Sequence, residues 1–262
     1  MVQKNYSFCI LLLFFTSICF SQSENFKSFD DVKIVFSDEG EGEPVLLIHG
    51  FINSRKSWDK TQLKQDLLDK GYRVIVPDLR GNGDSDKPQD EVAYENDAEV
   101  KDLKLLMNSL NIQHYKAVGY SRGSIVLAKL LTTDKRIVKA VLGGMGIDFT
   151  NPDWDRRIMF TKAFDGEVNE NTKGAVDYAK SIYADLRSLH LQQKYQPVTS
   201  KKKLGKIKID VIVICGDEDL DNGNAKELSN AFVNGILVRV PGDHNGTYKT
   251  ADFSDEVLRF LD

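Results

Sequence analysis

Short apolar runs alternate with amphipathic segments along nearly the whole chain. VKIVFS (32–37) is rich in strand-forming residues and leads into the turn-prone DEGEGEP. VLLIHG (45–50) is a continuous apolar run, as expected of a strand buried on both faces. Ser57 precedes the amphipathic WDKTQLKQDLLDKG, which stops at Gly71. YRVIVPD is the next strand, and LRGNGDSDKP is a loop full of helix and strand breakers. YENDAEVKDLKLLMNSLNI has helical spacing at Val100, Leu103, Leu106, Met107 and Leu110. HYKAVGY predicts a strand, SRGSIVLAKLL the start of a helix, and IVKAVLGGM another strand.

The pattern changes between 148 and 205, where NPDWDRRIMFTKAF and GAVDYAKSIYADLRSLHLQ read as two helices with no strong strand between them. In the second, Val176, Ala179, Ile182, Tyr183, Leu186 and Leu189 form one expected apolar face. IDVIVICGDEDLD resumes the strand pattern, followed by the helix AKELSNAF, the strand and loop GILVRVPGDH, and a closing helix. Strands alternating with helices predict an α/β protein with a mostly parallel central sheet and helices on both faces. The organisation read from this is a core over 22–147, a helical insertion over 148–205, and the rest of the core over 206–262.

Residues 1–21 read as a signal peptide: Lys4, then an apolar stretch over 8–20, then the polar Ser21-Gln22-Ser23. An apolar core of about 13 residues suits a signal peptide, whereas a membrane span takes about 20. Cleavage after Ser21 would start the mature chain at Gln22 and send it to the periplasm or outside the cell. Cys19 leaves a lipoprotein alternative, against which stands the bulky Ile18 before it. Of three cysteines, two (Cys9 and Cys19) lie in this segment, so the mature chain would keep one thiol, Cys215. That excludes an intramolecular disulfide, and the apolar run around Cys215 predicts a buried, inert thiol. With 262 residues, 41% hydrophobic and 28% charged, the composition is that of an ordinary globular protein. A net charge of -4 without a basic stripe gives no reason to expect nucleic acid. Lys201-Lys202-Lys203 reads as a solvated surface run.

Gly119-Tyr120-Ser121-Arg122-Gly123 is a G-x-S-x-G between a predicted strand and a predicted helix. Glycines suit a turn in which backbone crowds the serine, and the helix start aims N–H groups at a developing oxyanion. A serine needs a base, and the chain has four histidines. His114 falls at the far end of a strand and His190 in the insertion, whereas His244 falls in a loop at the carboxyl edge of the sheet and is the candidate base. The acid that orients it is sought in VICGDEDLD, where Asp219 is preferred and Asp217 is the alternative. The N–H groups of Phe51 and Arg122 are the candidate oxyanion donors, with His49, Gly50, Gly119 and Gly123 in support, His49 as a hydrogen-bonding structural residue. The Arg122 side chain either packs away from the site or favours an acidic substrate. Asp243 points to solvent or, if close, raises the pKa of His244. Asn245-Gly246-Thr247 fits a glycosylation acceptor and is read as a coincidence, since a glycan there would crowd His244.

LLIHGF, PDLRGNGDSD, VGYSRGS, VIVICGDEDLD and VPGDHNG, in that order, resemble the α/β-hydrolase superfamily. The resemblance covers nearly the whole chain after the first segment. It implies Ser121 as nucleophile, Asp219 as acid, His244 as base and a helical cap where 148–205 falls. Serine at 121 argues against the branches that attack through a carboxylate. The expectation is an exported hydrolase acting on a small acyl substrate, with a carboxylic ester first and amide or carbon–carbon cleavage as alternatives. No cofactor and no metal are expected, since no Cys/His cluster has zinc-like spacing. No stable membrane span is expected in the mature chain. The rival from another class is a ligand-binding homologue with little turnover. Trp154, Phe160, Phe164, Tyr178 and Tyr183 are available to line a pocket or to form the core of the cap.

Overall fold

Alternate residues of each apolar run pack into opposite cores, which is what makes these runs strands. Val45, Leu47, Val74, Val76, Val118, Val141, Ile212 and Ile214 fill one side of a sheet. Leu46, Ile48, Ile75, Ala117, Leu142 and Val213 fill the other. The structure is a computed structural model that describes residues 23–262; the apolar segment over 8–20, Cys9, Cys19 and the cut expected after Ser21 lie outside the described residues.

The strands are β1 (Glu24–Lys27), β2 (Lys33–Glu39), β3 (Pro44–Ile48), β4 (Arg73–Pro77), β5 (Tyr115–Tyr120), β6 (Ile137–Gly143), β7 (Asp210–Gly216) and β8 (Asn234–Val240). They form one sheet in the order β1-β2-β4-β3-β5-β6-β7-β8. β2 is antiparallel to its neighbours β1 and β4, and every other pairing is parallel. Before β5 come helices α1 (Gln62–Asp69) and α2 (Ala98–Ser109), and α3 (Arg122–Thr133) follows it. Between β6 and β7 lie α4 (Asp155–Phe164), α5 (Glu170–Ser181), α6 (Leu186–Lys194) and the short α7 (Lys201–Leu204). α8 (Ala225–Asn230) precedes β8, and α9 (Ala251–Leu261) ends the chain. α1 and α9 cover one face through Leu63, Leu67, Phe253 and Val257. α2, α3 and α8 cover the other through Leu103, Ile125 and Leu228.

Two details differ from the sequence reading. β1 is an extra edge strand whose residues are mostly exposed, so no apolar pattern announces it. The helix expected over 174–192 is two helices, because Tyr183 takes a left-handed φ of 56° and the Asp185 carboxylate caps α6 by accepting from the Ser188 N–H at 2.7 Å. The expected apolar face is split accordingly. Val176, Ala179 and Leu189 join a third small core with Ile52 and Phe164, while Tyr183 is 94% exposed.

Ionic contacts hold the loop after β4. Arg80 is fully buried and pairs with Asp102 of α2 at 2.6 Å and with Asp30 at 2.8 Å. Ser28 donates to the same Asp102. Asp102→Asn leaves the guanidinium short of a buried counter-charge and is expected to cost about 3–5 kcal/mol, read from urea unfolding midpoints.

α3 passes so close to the sheet that a Cβ at Gly123 would stand 2.2 Å from the Ile48 carbonyl oxygen, and one at Gly119 would stand 2.5 Å from that of Gly123. Gly123→Ala is therefore expected to destabilise by about 4 kcal/mol or more, through forced displacement of backbone. A Cβ at Gly174, inside α5, meets nothing within 4 Å. Gly174→Ala is expected to stabilise by about 0.5–1 kcal/mol in the same unfolding measurement.

Candidate active site

The turn from β5 into α3 puts Ser121 at φ 53°, ψ -124°, a conformation a side chain rarely adopts. The turn is held by its surroundings: the Ser121 N–H donates to the Gly143 carbonyl at 2.8 Å, and no larger residue fits at 119 or 123. Arg122 is the first residue of the helix, so its N–H has no intrahelical acceptor. The turn after β3 lies against the serine, since a Cβ on Gly50 would be 3.2 Å from Ser121 Cβ. That turn carries Phe51 and a left-handed Ile52.

His244 Nε2 lies 2.9 Å from Ser121 Oγ, and His244 Nδ1 lies 2.8 Å from Asp219 Oδ2. A carboxylate only accepts, so Nδ1 carries the proton and Nε2 turns its lone pair to the serine hydroxyl. Burial pushes the Asp219 carboxyl up, but hydrogen bonds from His244 and Asn222 outweigh it and hold the group below its ordinary value. Asn222 Nδ2 donates to Asp219 Oδ1 at 2.7 Å, so both oxygens are occupied. The Asn222 amide also sits 3.0 Å from His244 Nδ1, two donors side by side that each bond to a different oxygen of the one carboxylate. Asp217, the alternative acid, is committed elsewhere, accepting from the Gly242 N–H at 2.9 Å. That bond ties the loop after β7 to the loop after β8. The two approach so closely that a Cβ on Gly216 would stand 2.0 Å from the Gly242 carbonyl oxygen.

Of the supporting residues, His49 is buried, with Nδ1 2.8 Å from the Gly50 carbonyl and Nε2 accepting from the Leu79 N–H at 3.1 Å. Burial lowers its pKa, and both nitrogens are used in fastening the turn that bears Phe51. Asp243 is exposed to solvent, as one of the two readings had it, and does not bond to the imidazole: its carboxylate accepts from the Gly246 N–H at 2.6 Å. The Thr247 hydroxyl is buried and donates to the Asp243 carbonyl at 2.7 Å, so the Asn245-Gly246-Thr247 tripeptide is folded into the loop that presents His244. His114 is exposed away from this cluster, and His190 bonds to the Thr161 carbonyl at 2.9 Å within the helices after β6. The buried Cys215 thiol is pushed up to about 11 by burial.

The Arg122 side chain packs away from the cavity. It makes a two-pronged salt bridge to Glu99 of α2 at 2.8 and 2.6 Å and donates to the Gln192 carbonyl of α6 at 2.8 Å. Three features carried no signal in the sequence. The Tyr120 hydroxyl donates to the His244 carbonyl at 2.8 Å and fixes the histidine loop from beneath. Asn222 reads as one more polar residue in an acidic loop, yet it orients Asp219. Arg156 reads as a surface residue of a helix, yet it lines the cavity.

Ser121 and His244 open onto a cavity of about 750 Å³. Its walls come from the turns after β3, β7 and β8 and from Arg156, Ala175 and Tyr178 of the helices after β6. Of the aromatics weighed as pocket walls, Tyr178 alone lines it. Phe160 and Phe164 pack edge-on to Phe51, with ring centres 5.9 and 5.2 Å away, and Trp154 packs on the core. Among the described residues no cluster of His, Cys, Asp and Glu is arranged to hold a metal ion, and no helix is long and apolar enough to cross a membrane.

A family model for the alpha/beta hydrolase fold matches residues 43–160. The chain is 31% identical over 160 residues to a 2-hydroxymuconate semialdehyde hydrolase of a Pseudomonas strain, covering 55% of this chain and 56% of that one. It thus spans about half the length of such a curated relative. An AB hydrolase superfamily protein of Bacillus subtilis is 24% identical over 251 residues, 85% of this chain and 92% of that one. An esterase structure from Exiguobacterium antarcticum superposes with a TM-score of 0.77 at 18% identity, over 92% of this chain and 99% of that one. Sheet order, the strained serine turn and these likenesses agree on one architecture: the chain has the α/β-hydrolase fold, and its residues 43–160 match the family model of that fold.

Proposed function

We propose that the protein is a serine hydrolase of small carboxylic esters. The observation that carries this reading is the unbroken hydrogen-bonded series Ser121, His244, Asp219 at the floor of an open cavity. His244 Nε2 takes the hydroxyl proton as Ser121 Oγ bonds to the acyl carbon, and the carbonyl electrons move to the oxygen. The N–H groups of Phe51 and Arg122 receive that oxyanion. The carbon–oxygen bond to the alcohol breaks, and the proton on Nε2 passes to the departing oxygen. Water then attacks the acyl-enzyme, gives its proton to Nε2, and the acid leaves as Ser121 recovers its hydroxyl. Asp219 keeps the imidazole in the tautomer that accepts from serine and stabilises the imidazolium. Esters are the first choice because an alcohol leaves with less assistance than an amine. The helices between β6 and β7 act as a cap, contributing one wall of the cavity. Export belongs to the same proposal and rests on the apolar segment over 8–20.

Treatment with a fluorophosphonate probe and a series of 4-nitrophenyl acyl esters tests the reading. The wild type is expected to label and turn over repeatedly, and Ser121→Ala to do neither, with kcat lower by about 10⁶-fold. A folded wild type that neither labels nor hydrolyses any ester overturns the reading.

Asp219→Asn is expected to lower kcat/KM by about 10⁴-fold through the wrong tautomer. Its stability effect has a defined sign. The folded value for Asp219 lies below the unfolded one of about 3.9, so its contribution is present above that pH and fades as pH falls through the folded value. Unfolding midpoints of wild type and Asp219→Asn are therefore expected to differ at pH 7 and to converge in strong acid.

A further inference from the structure

Arg156 and Arg157 stand side by side at the start of α4 and are treated differently by the fold. Arg157 donates to the carbonyls of Gln193 at 2.9 Å and Pro152 at 3.1 Å, and also to that of Lys194. Arg156 makes no hydrogen bond or ion pair among the described residues. Its one close partner is the Phe160 ring, one helical turn on, 5.1 Å from the guanidinium carbon. It is half-buried, and it lines the same cavity as Ser121 and His244. It also sits in the first turn of α4, the positive end of the helix dipole, where a cation is disfavoured. Helix stability and surface pairing therefore give no reason for a cation here. An Arg fork held over an aromatic ring, with its donors unused, is a receptor for a planar anion.

We propose that Arg156 is the anion-recognition residue of this cavity, and that the ester it serves carries one carboxylate. The inference rests on the serine-hydrolase reading of the same site. The charges around the cavity select the kind of anion. Asp219 and Asp221 face Arg156 beyond ion-pair distance, and Glu218 and Asp243 stand on the same rim. Lys249 is the other cation of the lining, and it lies over the Tyr248 ring. A singly charged carboxylate satisfies the fork against that acidic rim, whereas a phosphate dianion meets about twice the repulsion. Burial holds Arg156 below the ordinary guanidinium value, as it does Arg157.

The test compares 4-nitrophenyl half-esters of succinate, glutarate and adipate with neutral esters in which an isopropyl group replaces the carboxylate. The ratio of kcat/KM, charged to neutral, is read for each chain length. In the wild type the ratio is expected to exceed one at the length that spans the cavity. Arg156→Gln should lower it about tenfold or more, Arg156→Lys should restore part of it, and Lys162→Gln, an exposed charge loss on the same helix, should leave it unchanged. Asp221→Asn should raise the ratio by removing repulsion. A fall with Asp221→Asn as large as with Arg156→Gln would make the arginine a latch on Asp221 and overturn the subsite. A ratio below one at every length, with neutral esters hydrolysed and the probe bound, overturns the subsite and leaves the hydrolase reading standing. If the wild type hydrolyses nothing, thermal shifts with free succinate, glutarate and adipate decide the subsite alone. A shift lost in Arg156→Gln supports it, and no shift at any length rejects it.

Discussion

Everything at the candidate site follows from how closely α3 crosses the sheet. The helix runs over the end of β3 with backbone against backbone, and only hydrogen fits at Gly123 and Gly119. That contact forces the chain at Ser121 into its unusual backbone conformation, which lifts the hydroxyl off the sheet and opens the first N–H of the helix toward the same space. A looser packing would relax the turn, and the serine would become an ordinary helix cap. The strain is local, but the restraint is spread over β3, β5, β6 and α3.

The helices after β6 are tied into the same restraint. Arg122 reaches from the serine turn to Glu99 of α2 and to the Gln192 carbonyl of α6, all three groups being buried. Gln192 in turn donates to the Arg80 carbonyl at 2.8 Å, the residue whose guanidinium is locked to Asp102 and Asp30. On the far side, Phe51 packs its ring on Phe160 and Phe164, while its own turn abuts the serine. The two proposed oxyanion donors are thus each fastened to the overlying helices, one by charge and one by aromatic contact.

Strands buried on both faces were legible because burial leaves continuous apolar runs such as VLLIHG and VIVIC. The serine turn was legible because sterics demand glycine at fixed positions around it. The pairing of His244 with Asp219 followed from chain order and from the loops at one sheet edge, and the resolution against Asp217 needed the geometry, since Asp217 spends its carboxylate on Gly242. What could not be read depends on contacts across the fold. The polar edge strand β1 is defined by its pairing with β2 and not by its own residues. The break at Tyr183 is set by a cap three residues from Ser188 that interrupts an otherwise plausible helical face. Tyr120, Asn222 and Arg156 carry no distinguishing mark in the sequence; their neighbours give each a different task.

The sheet order has a further consequence for how the protein comes into being. Ser121 and His244 are 123 residues apart, and parallel pairing through β6, β7 and β8 must be complete before the two loops can meet. Closing such long chain segments is slow, because the entropy of closure is spent before the long-range contacts return it. The hydroxyl and the imidazole therefore come within bonding distance only in a finished molecule. If Ser121 reacts as proposed, its reactivity is at once a chemical property and a marker that folding has gone to completion.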